Sequence, residues 1–498
     1  MQFKHKIIAT LSAVALSVGL SAPALAQITE LKIGNFLDIT SWDPAMADIG
    51  FDGPYLSAIY DPLLTVDANG DVQPVLATSW EYSEDFLTLT MDVRTDVTFT
   101  DGSGFNAEVA AANLEHLQAS ARSGEAYTKV SDISVVDEDT ITITLKERDD
   151  TMLYLMGLGR SYMASAAAIE AGTLAQTPVG SGPYTLDSSV PGSEYHFVKK
   201  TDHWDASTYP YEKVSIYPIL DQTARHNAML SGQLNVAFAD PINNPQAEMG
   251  GWNVTESLAG WVGLQILDHD GERLAPLGDI RVRKALNHAF DGAAILQAIG
   301  QGAGVKTNQV FTAASGVHDP ELEGQYEFSI EKAKELMAEA GYADGFELSM
   351  PMSPIFATWQ PVVQQTFNEL GITVTWDDMQ MPDYQINAPK YPMFIAFIAI
   401  DSDPVANFAR QFSTPQWYNP SPDYVLYAEL TDMVDAIRDA DPEEQIRLIK
   451  ILNKRLTADL AWWVVWYQAA NTYHSVSEIS VTGITGMMFP TLRFIQPK

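Results

Sequence analysis

Beyond residue 20 this 498-residue chain never strings together enough apolar residues to cross a bilayer; it interleaves short strand-like segments with helical ones. A chain of that pattern buries its apolar surface by folding into α/β lobes. Residues 31–35 and 87–93 read as extended, and 107–119 carry helical spacing. Asn69-Gly70 sits between apolar segments as a hairpin turn, and residues 140–145 alternate as a strand does. Residues 214–220 read as a strand feeding a helix with Arg225, Met229 and Leu230 that stops at Ser231-Gly232. Helices are expected over 280–289 and over 330–340, the second ending at Gly341. Residues 346–350, 359–370 and 372–376 form a strand, helix, strand unit, and 461–467 an aromatic-rich strand. No tandem repeat interrupts the order, and the length suggests two or three domains.

The N-terminus has its own signature. Lys4 and Lys6 precede an apolar stretch over 7–20, and Ala24, Leu25 and Ala26 follow, which is the order of a cleavable secretory signal. About 14 apolar residues are too few to span a membrane, so cleavage after residue 26 is expected to release a chain starting at Gln27. Cysteine is absent, so lipid attachment, disulfides and thiolate chemistry are excluded for these residues. The expectation is a periplasmic, non-lipidated protein with no direct membrane insertion.

Net charge is −35, and about −37 once residues 1–26 are gone, which disfavours nucleic acid and anionic membranes as partners. The acids are scattered, so general solubility explains them more simply than a field that draws in a cationic solute. Enzyme signatures are missing. There is no Gly-x-Ser-x-Gly elbow, no His-Glu-x-x-His and no phosphate loop; His116, His196, His203, His226, His269, His288, His318 and His474 are dispersed. Gly300, Gly302 and Gly304 read as a flexible turn, and only a paired-carboxylate glycosidase stays open on composition.

Several segments carry more information together than singly. They are Trp42-Asp43-Pro44, Tyr60-Asp61-Pro62-Leu63, residues 74–81, residues 97–102, Gly180-Ser181-Gly182-Pro183-Tyr184, residues 279–286 and residues 332–342. In this order, over nearly the full mature length, they resemble the extracellular solute-binding proteins of family 5, the peptide and nickel class serving ABC importers. The resemblance implies an α/β, two-lobed periplasmic binding protein fold of type II with an extra domain inserted in the N-terminal lobe. By it, residues 27–65, 183–262 and 476–498 form the N-terminal lobe, 66–182 the inserted domain and 263–475 the C-terminal lobe. The implied role is the periplasmic substrate-binding component of an ABC importer, capturing a peptide or related small organic solute between hinged lobes. Its partners would be that ligand and the permease subunits, with the protein acting as a monomer, without cofactor, metal or catalysis. A receptor for a non-peptide solute (oligosaccharide, opine-like compound or metal complex) and a periplasmic hydrolase stand as alternatives.

Ligand contacts follow from the same resemblance. Residues 394–404 run as an apolar strand into Asp401-Ser402-Asp403-Pro404, where peptide-binding relatives place an Asp for the ligand ammonium. Asp403 before Pro404 reads as a helix cap, which leaves Asp401 for the ligand. The stretch Ser349-Met350-Pro351-Met352-Ser353 lacks the Arg that dipeptide binders use for the carboxylate, which speaks against a dipeptide. Met350 and Met352 read as an adaptable apolar wall or as core. Further candidates are Phe51 and Asp52 in a loop before Tyr60, Trp261 before a strand over 263–268, and Trp417 in a loop with Tyr418, Asn419 and Pro420. Asp268 stands where the family commonly has Asn. Arg281 and Arg283 are expected to form structural ion pairs, and 180–184 to turn into a strand.

Overall fold

The structure, a computed structural model, describes residues 28–498, so the expected signal segment and Gln27 lie outside the described residues. Three separate apolar cores organise the chain. A large core runs from Trp261 to Tyr467 and includes Leu264, Met350, Phe394 and Trp463. An N-terminal core gathers Leu31, Tyr55, Phe197 and Val214 with Tyr473 and Ile495 from the far end of the sequence. The third packs the helix Ala107–Gln118 on a four-stranded antiparallel sheet in the order Ala77–Tyr82, Thr88–Val93, Thr140–Leu145, Val130–Val135. Ala164, Ala168 and Leu174 pack into the N-terminal core, whereas Ala45 and Leu63 join the third.

One sheet connects the first two cores. Its order is Met393–Ala399, Asn253–Ile266, Val464–Ser475, Val236–Ala239, Glu30–Asn35, Lys213–Pro218, Glu194–Lys199, Tyr184–Val190, with Gly304–Val305 added beside Val464–Ser475. Asn253–Ile266 and Val464–Ser475 pair antiparallel from Asn253 opposite Ser475 to Leu264 opposite Val464, so both cross from one core to the other. Their register breaks at Leu258/Gly260 and Val262/Gly263. Extra residues at such points bend a strand locally.

A small cluster bridges the parts. Val66, Tyr154 and Leu158 meet Ala406, Ile484 and Met487. Full burial of a large apolar side chain contributes about 1.5–3 kcal/mol. Six residues therefore supply far less than any lobe core, and this contact can part while the cores stay folded.

Four expectations need correction. The strand expected over 461–467 begins three residues later and runs to Ser475, because Ala461 adopts a left-handed backbone (φ 47°) that turns the chain before the ladder starts. Trp261 lies inside the strand Asn253–Ile266, opposite Gln468 and Ile398, not before it. Phe51 and Asp52 lie on the helix Ile49–Ile59, which Asp48 caps by accepting from the Gly50 amide. Gly50, Gly53 and Pro54 disfavour a helix locally, but Tyr55, Leu56, Ala58 and Ile59 are buried by it, and tertiary burial prevails over propensity. Arg283 forms no ion pair among the described residues; buried, it donates to the carbonyls of Leu460, His269 and Leu277. Arg281 does pair, with Asp279 at 2.6 Å.

Candidate functional site

After the strand Met393–Ala399 the chain reverses within a few residues. Asp403 caps the helix Pro404–Phe408 by accepting from the Ala406 amide at 2.7 Å, and Pro404 occupies the first helical position, where its missing N–H costs nothing. The helix then widens into a π-turn over Ala409–Ser413. Single π-turns within helices recur at functional sites because they re-aim side chains. Here the turn carries Arg410 back onto Asp401: Arg410 Nε donates to Oδ2 at 2.5 Å and Nη2 to Oδ1 at 3.4 Å. The Asp401 side chain is 2% exposed and that of Arg410 26%, so the pair is a buried carboxylate holding a guanidinium that still reaches solvent.

A polar network fixes this geometry. The Asp401 amide donates to Asn407 Oδ1 at 3.1 Å, and Gln411 Nε2 donates to the same oxygen at 3.1 Å and to the Ala399 carbonyl at 2.7 Å. Trp261 Nε1 donates to Gln411 Oε1 at 2.9 Å, so Trp261 supports the turn from the crossing strand. Tyr418 Oη donates to the Arg410 carbonyl at 3.0 Å. The Asp401 charge is the foremost reason that the Arg410 guanidinium is held protonated beyond its ordinary range.

Residues from elsewhere in the chain close over this turn. The Ser402 amide donates to Tyr154 Oη at 3.1 Å, and the two hydroxyls lie 3.1 Å apart. Gly70, in the hairpin turn expected from the sequence, has φ 92°, and a Cβ there would collide with the Ser402 side chain. A Cβ on Gly486 would sit 3.5 Å from Asp401 Oδ1, so the C-terminal segment passes beside the carboxylate. Gln445 donates to Asp150 Oδ2 at 2.9 Å, and Arg148 to the Ala440 carbonyl at 2.8 Å. Glu125, ion-paired with Arg160, lies close enough to act on the charge of Arg410. Burial, together with the charges of Asp401 and Asp150, pushes the Asp403 carboxyl up to about 6.

The sequence candidates separate. Asp401 sits at this contact; Trp417, 37% exposed, stacks on Phe394 at 6.3 Å and abuts Tyr418 at 5.5 Å. Met350 and Met352 lie buried within the large core. Phe51 packs on Phe36 in the N-terminal part. Asp52, fully buried, accepts from the amides of Thr40 (3.1 Å) and Asp48 (2.8 Å) and from the Thr40 hydroxyl. Sequence reasoning missed Arg410, Asn407, Gln411 and Tyr154. Arg410 had a signal: it is the sole Lys or Arg between Lys390 and Arg438. A cavity of about 230 Å³ near Trp466, Lys306, Asp291 and Glu327 belongs to the large core alone, so relative movement of the cores would leave it unchanged. Among the described residues no group of three metal-ligating side chains occurs, and no helix is long and apolar enough to cross a membrane.

The model of the bacterial extracellular solute-binding proteins, family 5 Middle, matches residues 71–420. The chain belongs to this family. It is 25% identical over 482 residues to a glutathione-binding protein of Salmonella choleraesuis, covering 91% of each chain. In three dimensions it matches HbpA2 from Haemophilus parasuis with a TM-score of 0.80 at 20% identity, over 94% of this chain and all of that one. NikA from Brucella suis, in complex with Fe(III)-EDTA, matches with a TM-score of 0.79 at 20% identity, over 94% and 100%. These likenesses show the two-lobed α/β binding-protein fold. As a member of family 5, the chain is a solute-binding protein.

Proposed function

We propose that the protein captures a peptide or related small organic solute by closing its two lobes over the Asp401–Arg410 pair, and passes it to an ABC permease. The observation that carries the reading is the coincidence of two features: strands that bend as they cross between cores, and an oriented charge pair at the contact those cores make. Hinge closure around a solute is the motion such a layout allows. The N-terminal lobe would comprise 27–65, 183–262 and 476–498, the inserted domain 66–182 and the C-terminal lobe 263–475. Trp417 would add an apolar wall beside the pair. Asp52, Phe51, Met350 and Met352 would shape the lobes that close. The relatives matched are binding proteins, in keeping with a non-catalytic role, and the N-terminal signal would deliver a non-lipidated monomer to the periplasm.

A second reading takes a solute without a free amine, such as an opine-like compound. The Asp401–Arg410 pair favours it, because an incoming ammonium would have to displace a guanidinium already hydrogen-bonded at 2.5 Å. The test is scanning fluorimetry of the mature protein with a nutrient panel, followed by small-angle scattering with each stabilising compound. A bound solute raises Tm by mass action and reduces the radius of gyration. A panel that changes neither contradicts the receptor role.

A further inference from the structure

We infer that Arg410, positioned by Asp401, is the specificity residue of the interlobe site, and that the solute carries a carboxylate that seats on its guanidinium. This rests on the receptor role proposed above and names the class of solute. The starting point is valence. A guanidinium has five N–H donors, and Asp401 takes the Nε donor and one of the Nη2 donors. Among the described residues Nη1 donates to nothing, while the side chain keeps about a quarter of its surface. The unused edge is therefore the part that solvent, or a solute, can reach.

Position and charge point the same way. The pair lies where Tyr154, Gly70 and Gly486 approach Ser402 and Asp401, so a group on Arg410 becomes enclosed as the lobes close. Enclosure removes water, and a guanidinium–carboxylate hydrogen bond strengthens as water leaves. The buried Asp401 carboxylate is already neutralised by Arg410, which weakens the case for an ammonium at the same place. Acids outnumber bases 64 to 29 in the whole chain, so an Arg standing alone between Lys390 and Arg438 is not a product of a basic stretch. Planar, bidentate recognition of carboxylates is the task for which Arg, rather than Lys, is suited. Asp401 acts through Arg410: it fixes the fork and leaves the Nη1 edge turned outward.

The experiment uses the full mature chain with glutathione, trialanine, trialanine amide, N-acetyl-trialanine and maltotriose, read by scanning fluorimetry and calorimetric titration. The expected result is binding of the free acids, including N-acetyl-trialanine, at least about tenfold tighter than of trialanine amide or maltotriose, as one charged hydrogen bond predicts. Arg410→Gln leaves Asp401 buried and unpaired and can fail to fold, so the decisive variant is Asp401→Asn with Arg410→Gln, which removes both charges together. It should keep its cooperative unfolding and lose the preference for acid over amide. Asp401→Asn alone keeps the cation but frees the fork, and should retain the preference in weakened form. Equal binding of acid and amide, or an unchanged preference in the double variant, overturns the inference while leaving a receptor. Failure of the receptor role itself would show differently, as scattering curves that none of the five compounds alters.

Discussion

Two buried carboxylates, Asp52 in the N-terminal part and Asp401 in the large core, read alike in the sequence and are held in opposite ways. Asp52 is satisfied by neutral donors from its own segment, the amides of Thr40 and Asp48 and the Thr40 hydroxyl, and burial pushes its carboxyl up to about 6. Asp401 is satisfied by a cation that retains unused donors. A carboxylate enclosed by local neutral donors fastens a loop to a helix. One that grips a guanidinium whose side chain keeps about a quarter of its surface aims a charge, and only the second arrangement can discriminate among solutes.

Removing the partner should separate the two most strongly. Arg410→Met leaves Asp401 as an unpaired buried charge and should cost about 3–5 kcal/mol in urea unfolding. Asp52 has no single partner of that weight, and Asp52→Asn should cost about 1 kcal/mol. Comparable losses for both would erase the distinction. Next in size is Gly70→Ala, whose new methyl meets Ser402 across the lobe contact. It should weaken solute binding by about 2 kcal/mol through the clash and the left-handed strain, and scattering should show a failure to compact. Normal compaction would remove the 67–70 turn from the closing surface.

The pH dependence comes third. Asp52 and Asp403 are both raised to about 6, so the fold favours their protonated forms. Their contribution is fully present below the unfolded value near 4 and is lost as pH rises through about 6. His474 is lowered to about 4, chiefly by burial, and contributes in the opposite sense: fully above about 6.5, lost as pH falls through 4. Asp52→Asn should flatten the decline in Tm between pH 4 and 6 by about 1–2 kcal/mol equivalent, and an unaltered slope would mean that Asp52 does not titrate there. Smallest is Tyr154→Phe, which removes one interlobe hydrogen bond and should reduce affinity by about 1 kcal/mol with Tm of the unliganded protein nearly unchanged.

How much of this was legible depended on whether the signal was local. The strand over 140–145, the helix over 280–289, the Asn69-Gly70 turn and the Asp403 cap each stand as periodicity or turn chemistry predicts. The polar half of Val464–Ser475 was missed because Gln468, Asn471 and Ser475 look like loop residues. They are strand because Asn253–Ile266 lies along one side, with Gly304–Val305 beside Gln468 and Val236–Ala239 beside Thr472–Ser475 on the other, and no local pattern records a neighbour more than a hundred residues away. Trp261, a candidate ligand contact by its place before the strand expected over 263–268, is a buried, hydrogen-bonded support of the Asp401 turn. Asp401 itself was found through resemblance, but Arg410 was not: eight residues separate them, and a π-turn, which has no dependable sequence mark, brings them together.

The most direct measurement is a crystal structure of the protein with the tightest-binding solute from the panel. The account predicts the solute between the lobes, with a carboxylate oxygen within hydrogen-bonding distance of Arg410 Nη1 and the Asp401–Arg410 pair intact. A solute whose ammonium displaces Arg410 from Asp401, or one lodged in the cavity beside Trp466, would contradict it.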